Sequence, residues 1–262
     1  MKARARRIEF HLSMVFPPNE DYSVPLLRLM LATDDSRHLR KLLLNADEHF
    51  DKGNDLECSI LNGELLHLFR LLCGHLYEAG VAFRSLERIR PGYFKNILPN
   101  REEIITHLLY LNTAYSVGEE GAFHYSFLKP VRDRVGFHYK ETIFLERLTK
   151  HVQTEDLEGN LIITQFSGLS RYSVTDHLVM SAIHDLFGGG LDNFQENFEQ
   201  AMGQAINLAA SLENILDNVL LSIFKSHPEF ISKIIEGEVC ISPSFLKAKE
   251  KADRLRDNTS IK

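Results

Sequence analysis

Apolar residues recur with two different periods along this chain. Every second residue from Ile8 to Phe16 is apolar, which predicts a β-strand that ends at Pro17 and Pro18. Across 191–225 apolar residues instead recur every three or four positions, the period of an amphipathic helix. The helical period also covers 56–86 and 101–115. The sequence therefore predicts a mainly α fold, a helical bundle with a long C-terminal helix.

A second region of β character is predicted at 161–174. Two apolar segments flank Ser167 and Gly168 there, which indicates a short hairpin. Because an unpaired strand exposes its backbone donors and acceptors, we expect 8–16 to pair with this hairpin in a small sheet that caps the bundle. No repeat or clear linker divides the chain, so residues 1–262 are predicted to form a single domain with a charged tail at 245–262.

Three local signals predict further helix boundaries. Pro25 favours the start of a helix, and the polar residues from Thr33 to Ser36 favour the N-cap of the next one. Pro130 likewise predicts the start of a helix that carries the sequence VRDRVGFHY.

Composition narrows the class of protein. Apolar residues make up 44% of the chain and charged residues 25%, which excludes global disorder. A net charge of −6 argues against a protein that coats long stretches of nucleic acid or lies on an anionic membrane. The most apolar long segment, 205–224, carries Glu213 and Asp217 and is predicted not to span a membrane. The N-terminus has no signal-peptide pattern, so we expect a cytoplasmic protein.

One short segment carries most of the functional information. Residues 129–140 read KPVRDRVGFHYK, in which five residues separate Arg132 from His138. This pattern resembles the Arg-x(4–6)-His signature of the HEPN superfamily (higher eukaryotes and prokaryotes nucleotide-binding). The sequence RDRVGFHY is also similar to a helix found in many all-helical bacterial proteins. That superfamily favours a small polar residue directly after the arginine, and Asp133 occupies this position here.

The resemblance implies a HEPN-like homodimer that binds or cleaves RNA without a metal ion, in bacterial defence or stress. Two copies of Arg132 and His138 would then share one composite site. A histidine can move protons near neutral pH, and an arginine can hold the scissile phosphate. Asp133, Arg134 and Tyr139 are expected to support the site, and neither a cofactor nor a metal is expected.

Helix geometry leaves the arginine partner of His138 open. Arg132 and His138 lie about 120° apart on a regular helix, whereas Arg134 lies on nearly the same face as His138. Arg132 reaches His138 if Gly136 loosens the turn or if the two meet across the dimer axis. Segment 129–151 has six basic and three acidic residues, which favours a local site for phosphate.

The alternative hypothesis is a non-catalytic helical protein that dimerises or binds a partner. Arg132, Asp133 and Arg134 would then form a solvated turn, and His138 would pack against its aromatic neighbours.

Overall fold

Helices dominate the computed structural model, which confirms the predicted mainly α fold. The structure describes residues 2–50, 55–116, 122–136 and 194–240. Between the last two ranges it also describes positions 145, 149, 161–162, 171–172, 179–180, 182–183 and 185–187. The regular helices are α1 (Leu12–Val15), α2 (Ser23–Phe50), α3 (Asp55–Ile89), α4 (Tyr93–Ile97), α5 (Glu102–Tyr115) and α7 (Phe194–Ser226). Between α5 and α7, α6 consists of two π-helical stretches, His124–Leu128 and Arg132–Gly136, joined by Lys129–Val131.

Helix α3 lies at the centre of the described bundle and contacts α2, α5, α6 and α7. Its apolar residues recur at helical spacing, and Phe69, Leu72, Leu76 and Leu86 are fully buried. Two charged residues of α3, Glu78 and Arg84, contact side chains of α6. This placement brings α3 residues against α6.

The long helix predicted at 191–225 is confirmed as α7. One face of α7 is buried against α2 and α5 of the same chain through Leu208, Leu212, Ile215 and Val219. At the edge of this contact, the guanidinium of Arg40 lies 2.7 Å from the Glu213 carboxylate. The buried face of α7 is therefore covered within the chain and does not need a second subunit.

The N-terminal strand is real, but its predicted bounds and partner are wrong. Strand β1 is Lys2–Phe10, and it pairs antiparallel with β4, Ile231–Cys240, from Lys2 opposite Cys240 to Phe10 opposite Ile231. The strand ends where the His11 N–H donates to the Phe230 carbonyl at 2.9 Å, and Leu12–Val15 is helical.

Packing explains why β4 and not the hairpin pairs with β1. A 3₁₀ turn at Pro228–Phe230 follows α7 directly and brings β4 alongside the N-terminal strand. The Phe10 ring lies 5.2 Å from the ring of Phe224 on α7, so apolar contact anchors the base of this ribbon. The predicted hairpin forms a separate small sheet, in which β2 (Leu161–Ile162) pairs antiparallel with β3 (Arg171–Tyr172). The rest of 161–174 and the tail at 245–262 lie outside the described residues.

The predicted break between Thr33 and Ser36 is also wrong, because α2 runs through it. Both side chains are buried, and the Thr33 hydroxyl donates to the Leu29 carbonyl one turn earlier at 2.7 Å. A hydroxyl that bonds within its own helix no longer needs the N-cap position.

Pro130 does not open a helix, since α6 is already helical from His124. A proline inside a helix lacks a donor, and its ring crowds the carbonyl four residues earlier. The π-helical turn directly before Pro130 widens the backbone at this point and accommodates the ring.

Candidate functional site

Arg132 begins the second π-helical stretch of α6 and lies against α3. Its Nη2 is 3.1 Å from a carboxylate oxygen of Glu78, and its Nη1 donates to Asp133 at 3.0 Å. The side chain is 29% exposed, so the guanidinium lies at the surface with two carboxylates beside it. Glu78 also contacts Arg28 of α2 at 3.4 Å. These four side chains form a charge-balanced network across three helices.

The aromatic ring of Tyr77 packs against the guanidinium of Arg132. The guanidinium carbon of Arg132 lies 4.7 Å from the ring centroid, a cation–π contact. The imidazole of His124 stacks on the same ring at 4.5 Å with an interplanar angle of 11°. Because His124 and Arg132 are eight residues apart on α6, about two helical turns, the Tyr77 ring lies between them. Tyr77 of α3 therefore holds the Arg132 guanidinium in place against α3.

His124 is fully buried and remains neutral. Arg84 of α3 donates from Nη2 to its Nε2 at 2.7 Å. A guanidinium only donates, so Nε2 is the acceptor and the imidazole proton lies on Nδ1. Burial first, and then the positive charges of Arg84 and Lys129, lower the pKa of His124 to about 3. His124 is thus unsuited to proton transfer near neutral pH and acts as a packing and acceptor group.

The absence of a side chain at Gly80 makes room for the His124 ring. A Cβ atom at Gly80 of α3 would lie 2.6 Å from ring carbons of Tyr115 and 2.7 Å from Nδ1 of His124. Tyr115 is buried, its hydroxyl donates to the Leu76 carbonyl at 3.0 Å, and burial raises its pKa. Only glycine at position 80 allows both rings to lie against α3 in this arrangement.

The structure places part of the site that the sequence predicts. Arg132 and Asp133 lie together, while Arg134 is exposed on the same π-helical stretch. His138 and Tyr139 lie outside the described residues, so the arginine that approaches His138 stays a prediction. The stretch Arg132–Gly136 is π-helical, whereas the angle of about 120° between Arg132 and His138 applies to a regular helix. Single π turns occur frequently at functional sites.

Sequence reasoning missed the support for Arg132 on α3. Tyr77, Gly80 and Arg84 follow one another at spacings of three and four, so they share the face of α3 that meets α6. An aromatic, a glycine and a cation at helical spacing inside an apolar helix was the available signal. His124 carried no comparable signal, because only the tertiary contact with Arg84 distinguishes it.

The single Glu-x-x-His pair of the chain, Glu64 and His67, lines a cleft of about 490 Å³ between α2 and α3. The cleft wall is largely apolar, with Leu42, Leu61 and Leu68. No group of three metal-ligating side chains occurs among the described residues. This cleft therefore presents an apolar surface and lacks a described set of metal ligands.

No protein-family model matches the chain, and neither do curated proteins or solved structures. Within the described ranges, none of the helices is both long enough and apolar enough to cross a membrane. The conclusions on function therefore depend on the local geometry around Arg132.

Proposed function

We propose that this chain is an RNA-binding protein that cleaves single-stranded RNA without a metal ion, acts as a homodimer, and works in the cytoplasm. The observation that carries the proposal is how the Arg132 side chain is held at the protein surface. Its guanidinium is partly exposed, stacks on Tyr77, and begins a π-helical turn of the segment that resembles the HEPN signature. A supported guanidinium of this kind suits a single phosphate group, because its planar donors match phosphate oxygens.

The charges around Arg132 set the conditions for phosphate binding. Glu78 and Asp133 already contact the guanidinium, so a phosphate must compete with two carboxylates. Arg84, Lys129 and Arg134 add positive charge nearby on α3 and α6 and favour an anion at this surface. His138 is proposed to supply proton transfer, since histidine side chains can move protons near neutral pH, whereas burial lowers the pKa of His124 to about 3.

RNA binding tests this proposal directly. We expect Arg132→Ala to weaken the binding of a fluorescent single-stranded RNA at low salt, by tenfold or more. The matched control is Arg101→Ala, an exposed arginine at the N-terminus of α5. We expect Glu78→Gln to strengthen RNA binding several-fold, because it removes a carboxylate that competes for Arg132. A purely structural Arg132 would give no gain in the Glu78 variant, so an unchanged affinity there contradicts the proposal.

Cleavage is tested separately. Wild-type protein should cut the RNA in excess EDTA and leave 2′,3′-cyclic phosphates, because the neighbouring 2′-OH is the proposed nucleophile. We expect His138→Ala to abolish cleavage while RNA is still bound. Cleavage that EDTA abolishes, or that survives in His138→Ala, would contradict this mechanism.

A second candidate function is the non-catalytic binding of a protein partner. One observation favours it: the ion pairs of Arg132 with Glu78 and Asp133 are those of a structural residue. Wild-type protein that neither binds nor cuts RNA at low salt would contradict the first candidate and leave this one as the better account.

A further inference from the structure

Helix α2 has apolar side chains on two opposite faces. Its inner face is buried in the bundle through Leu26, Leu29 and Leu43. Its outer face carries Val24, Leu27 and Leu31, all exposed, with Val24 and Leu31 about two-thirds accessible. Spacings of three and four residues place these three side chains in one stripe along the helix. We call this stripe the α2 outer face.

An apolar stripe at this spacing is typical of a helix that packs on both sides. A helix that is apolar on its inner side alone would carry polar residues on the solvent side. Val24, Leu27 and Leu31 follow the 3-4 spacing of a helix-pairing seam. The outer face therefore has the pattern of an interface with another helix.

The charges beside this stripe favour a second copy of the same chain as the partner. Arg28 and Asp35 lie on the same flank, seven residues apart, and their midpoint falls between Leu31 and Ala32. If two α2 helices pair antiparallel about a twofold axis at this midpoint, each Arg28 meets Asp35 of the other copy. Such self-complementarity is what a twofold interface requires, since the same surface is used twice.

Both flanking charges are available for such contacts. The Arg28 side chain is 53% exposed and the Asp35 side chain 42% exposed. Each has one neighbour on α3: Arg28 lies 3.4 Å from Glu78, and Asp35 lies 3.2 Å from Nδ1 of His75. These contacts hold the two charges at the edge of the stripe without burying them.

We propose that the α2 outer face is the homodimer interface, with two α2 helices antiparallel about the point between Leu31 and Ala32. This inference deepens the proposed function, which includes a homodimer, and names the surface that forms it. The ion pairs from Arg28 to Glu78 and from Glu78 to Arg132 connect the interface to the proposed RNA site. Dimerisation through α2 therefore places Arg132 of each copy close to the other subunit.

The oligomeric state of the full chain tests this interface without RNA. We expect light scattering to give a dimer mass for wild type and a monomer mass for Leu31→Glu at the same concentration. A buried charge at the centre should raise the dimer Kd by about a hundredfold or more. The matched control is Leu109→Glu, which makes the same change at a similarly exposed leucine of α5 and should leave the dimer intact.

Charge exchange tests the antiparallel register. Arg28→Glu and Asp35→Arg should each weaken the dimer, and the double variant should restore part of the affinity because the pairs re-form with opposite sign. A monomeric wild type, or a Leu31→Glu variant that stays dimeric, would overturn the interface. If the double variant gains nothing over the single ones, the register is wrong. If Arg132→Ala leaves RNA binding intact while Leu31→Glu is monomeric, only the RNA proposal fails.

Discussion

Replacing Gly80 by alanine tests the packing that supports Arg132. The new methyl group would lie 2.6–2.7 Å from Tyr115 and His124. Non-bonded carbon atoms prefer separations of about 3.5–4.0 Å, so each ring would have to move by about 1 Å. Neither ring has free space, because both side chains are buried, and Tyr77 also stacks on His124. The substitution therefore forces the Tyr115 and His124 rings to move, and with them the packing that supports Arg132.

The expected magnitude is the balance of two opposing effects. Alanine inside a helix is favoured over glycine by about 1 kcal/mol, which would stabilise the protein. Overpacking a buried site costs about 1–3 kcal/mol, and a displaced Tyr115 loses its hydrogen bond to Leu76, worth about 1 kcal/mol. The net expectation is a loss of about 1–3 kcal/mol in the free energy of unfolding. For a chain of this length, Tm should fall by about 3–10 °C.

Urea denaturation followed by circular dichroism measures this loss. The matched control is Gly237→Ala in β4, where an added Cβ meets no atom within 4 Å, and its stability should change by less than about 0.5 kcal/mol. A Gly80→Ala variant as stable as wild type would show that the rings yield readily. The packing of the Tyr115 and His124 rings against Gly80 would then not be a fixed support for Arg132.

Three further predictions concern other parts of the fold. Burial lowers the pKa of His124 to about 3 in the folded protein, against 6.5 in the unfolded chain. The stability that the neutral, buried ring contributes is therefore complete above pH 6.5 and is lost as the pH falls towards 3. Urea midpoints of wild type should fall more steeply with acid than those of His124→Asn, and equal slopes would contradict the burial. Tyr115→Phe should lower the free energy of unfolding, measured in urea, by about 1 kcal/mol, because the Leu76 carbonyl loses its second donor. An unchanged free energy would show that this hydrogen bond contributes little. A double-mutant cycle on Arg40 and Glu213 should give a coupling of about 0.5–1 kcal/mol between α2 and α7, and a coupling of zero would show that this pair adds nothing to the apolar contact and to the ion pairs of Arg37 with Glu213 and Asp217.

Long periodic segments were the most predictable part of this fold. The long C-terminal helix and the helix predicted at 56–86 are present as α7 and α3, because more than thirty residues of one period outweigh local exceptions. Thr33 misled the boundary prediction for α2, since a hydroxyl that suits an N-cap can equally bond one turn back inside a helix. Local propensity therefore located the helices better than it located their ends.

Contacts between distant parts of the chain were the least predictable. β1 pairs with β4, more than two hundred residues away, and no property of strand β1 alone distinguishes β4 from the hairpin at 161–174. The contacts that support Arg132 could not be predicted for the same reason. The segment that contains Arg132 could be found from its motif, but Tyr77 and Arg84 belong to another helix, and only the packing of α3 against α6 brings them to it.

The charges around Arg132 also limit the kind of RNA contact that the proposed function allows. Arg28 and Arg132 are balanced by Glu78 and Asp133, so this network offers an incoming phosphate no net attraction. The excess positive charge comes from the few cations nearby on α3 and α6. A surface of this kind neutralises about one or two phosphates, and the salt dependence of RNA binding should be correspondingly shallow. A steep dependence on salt would require a longer basic track than these residues provide, and would place the main RNA contact elsewhere on the chain.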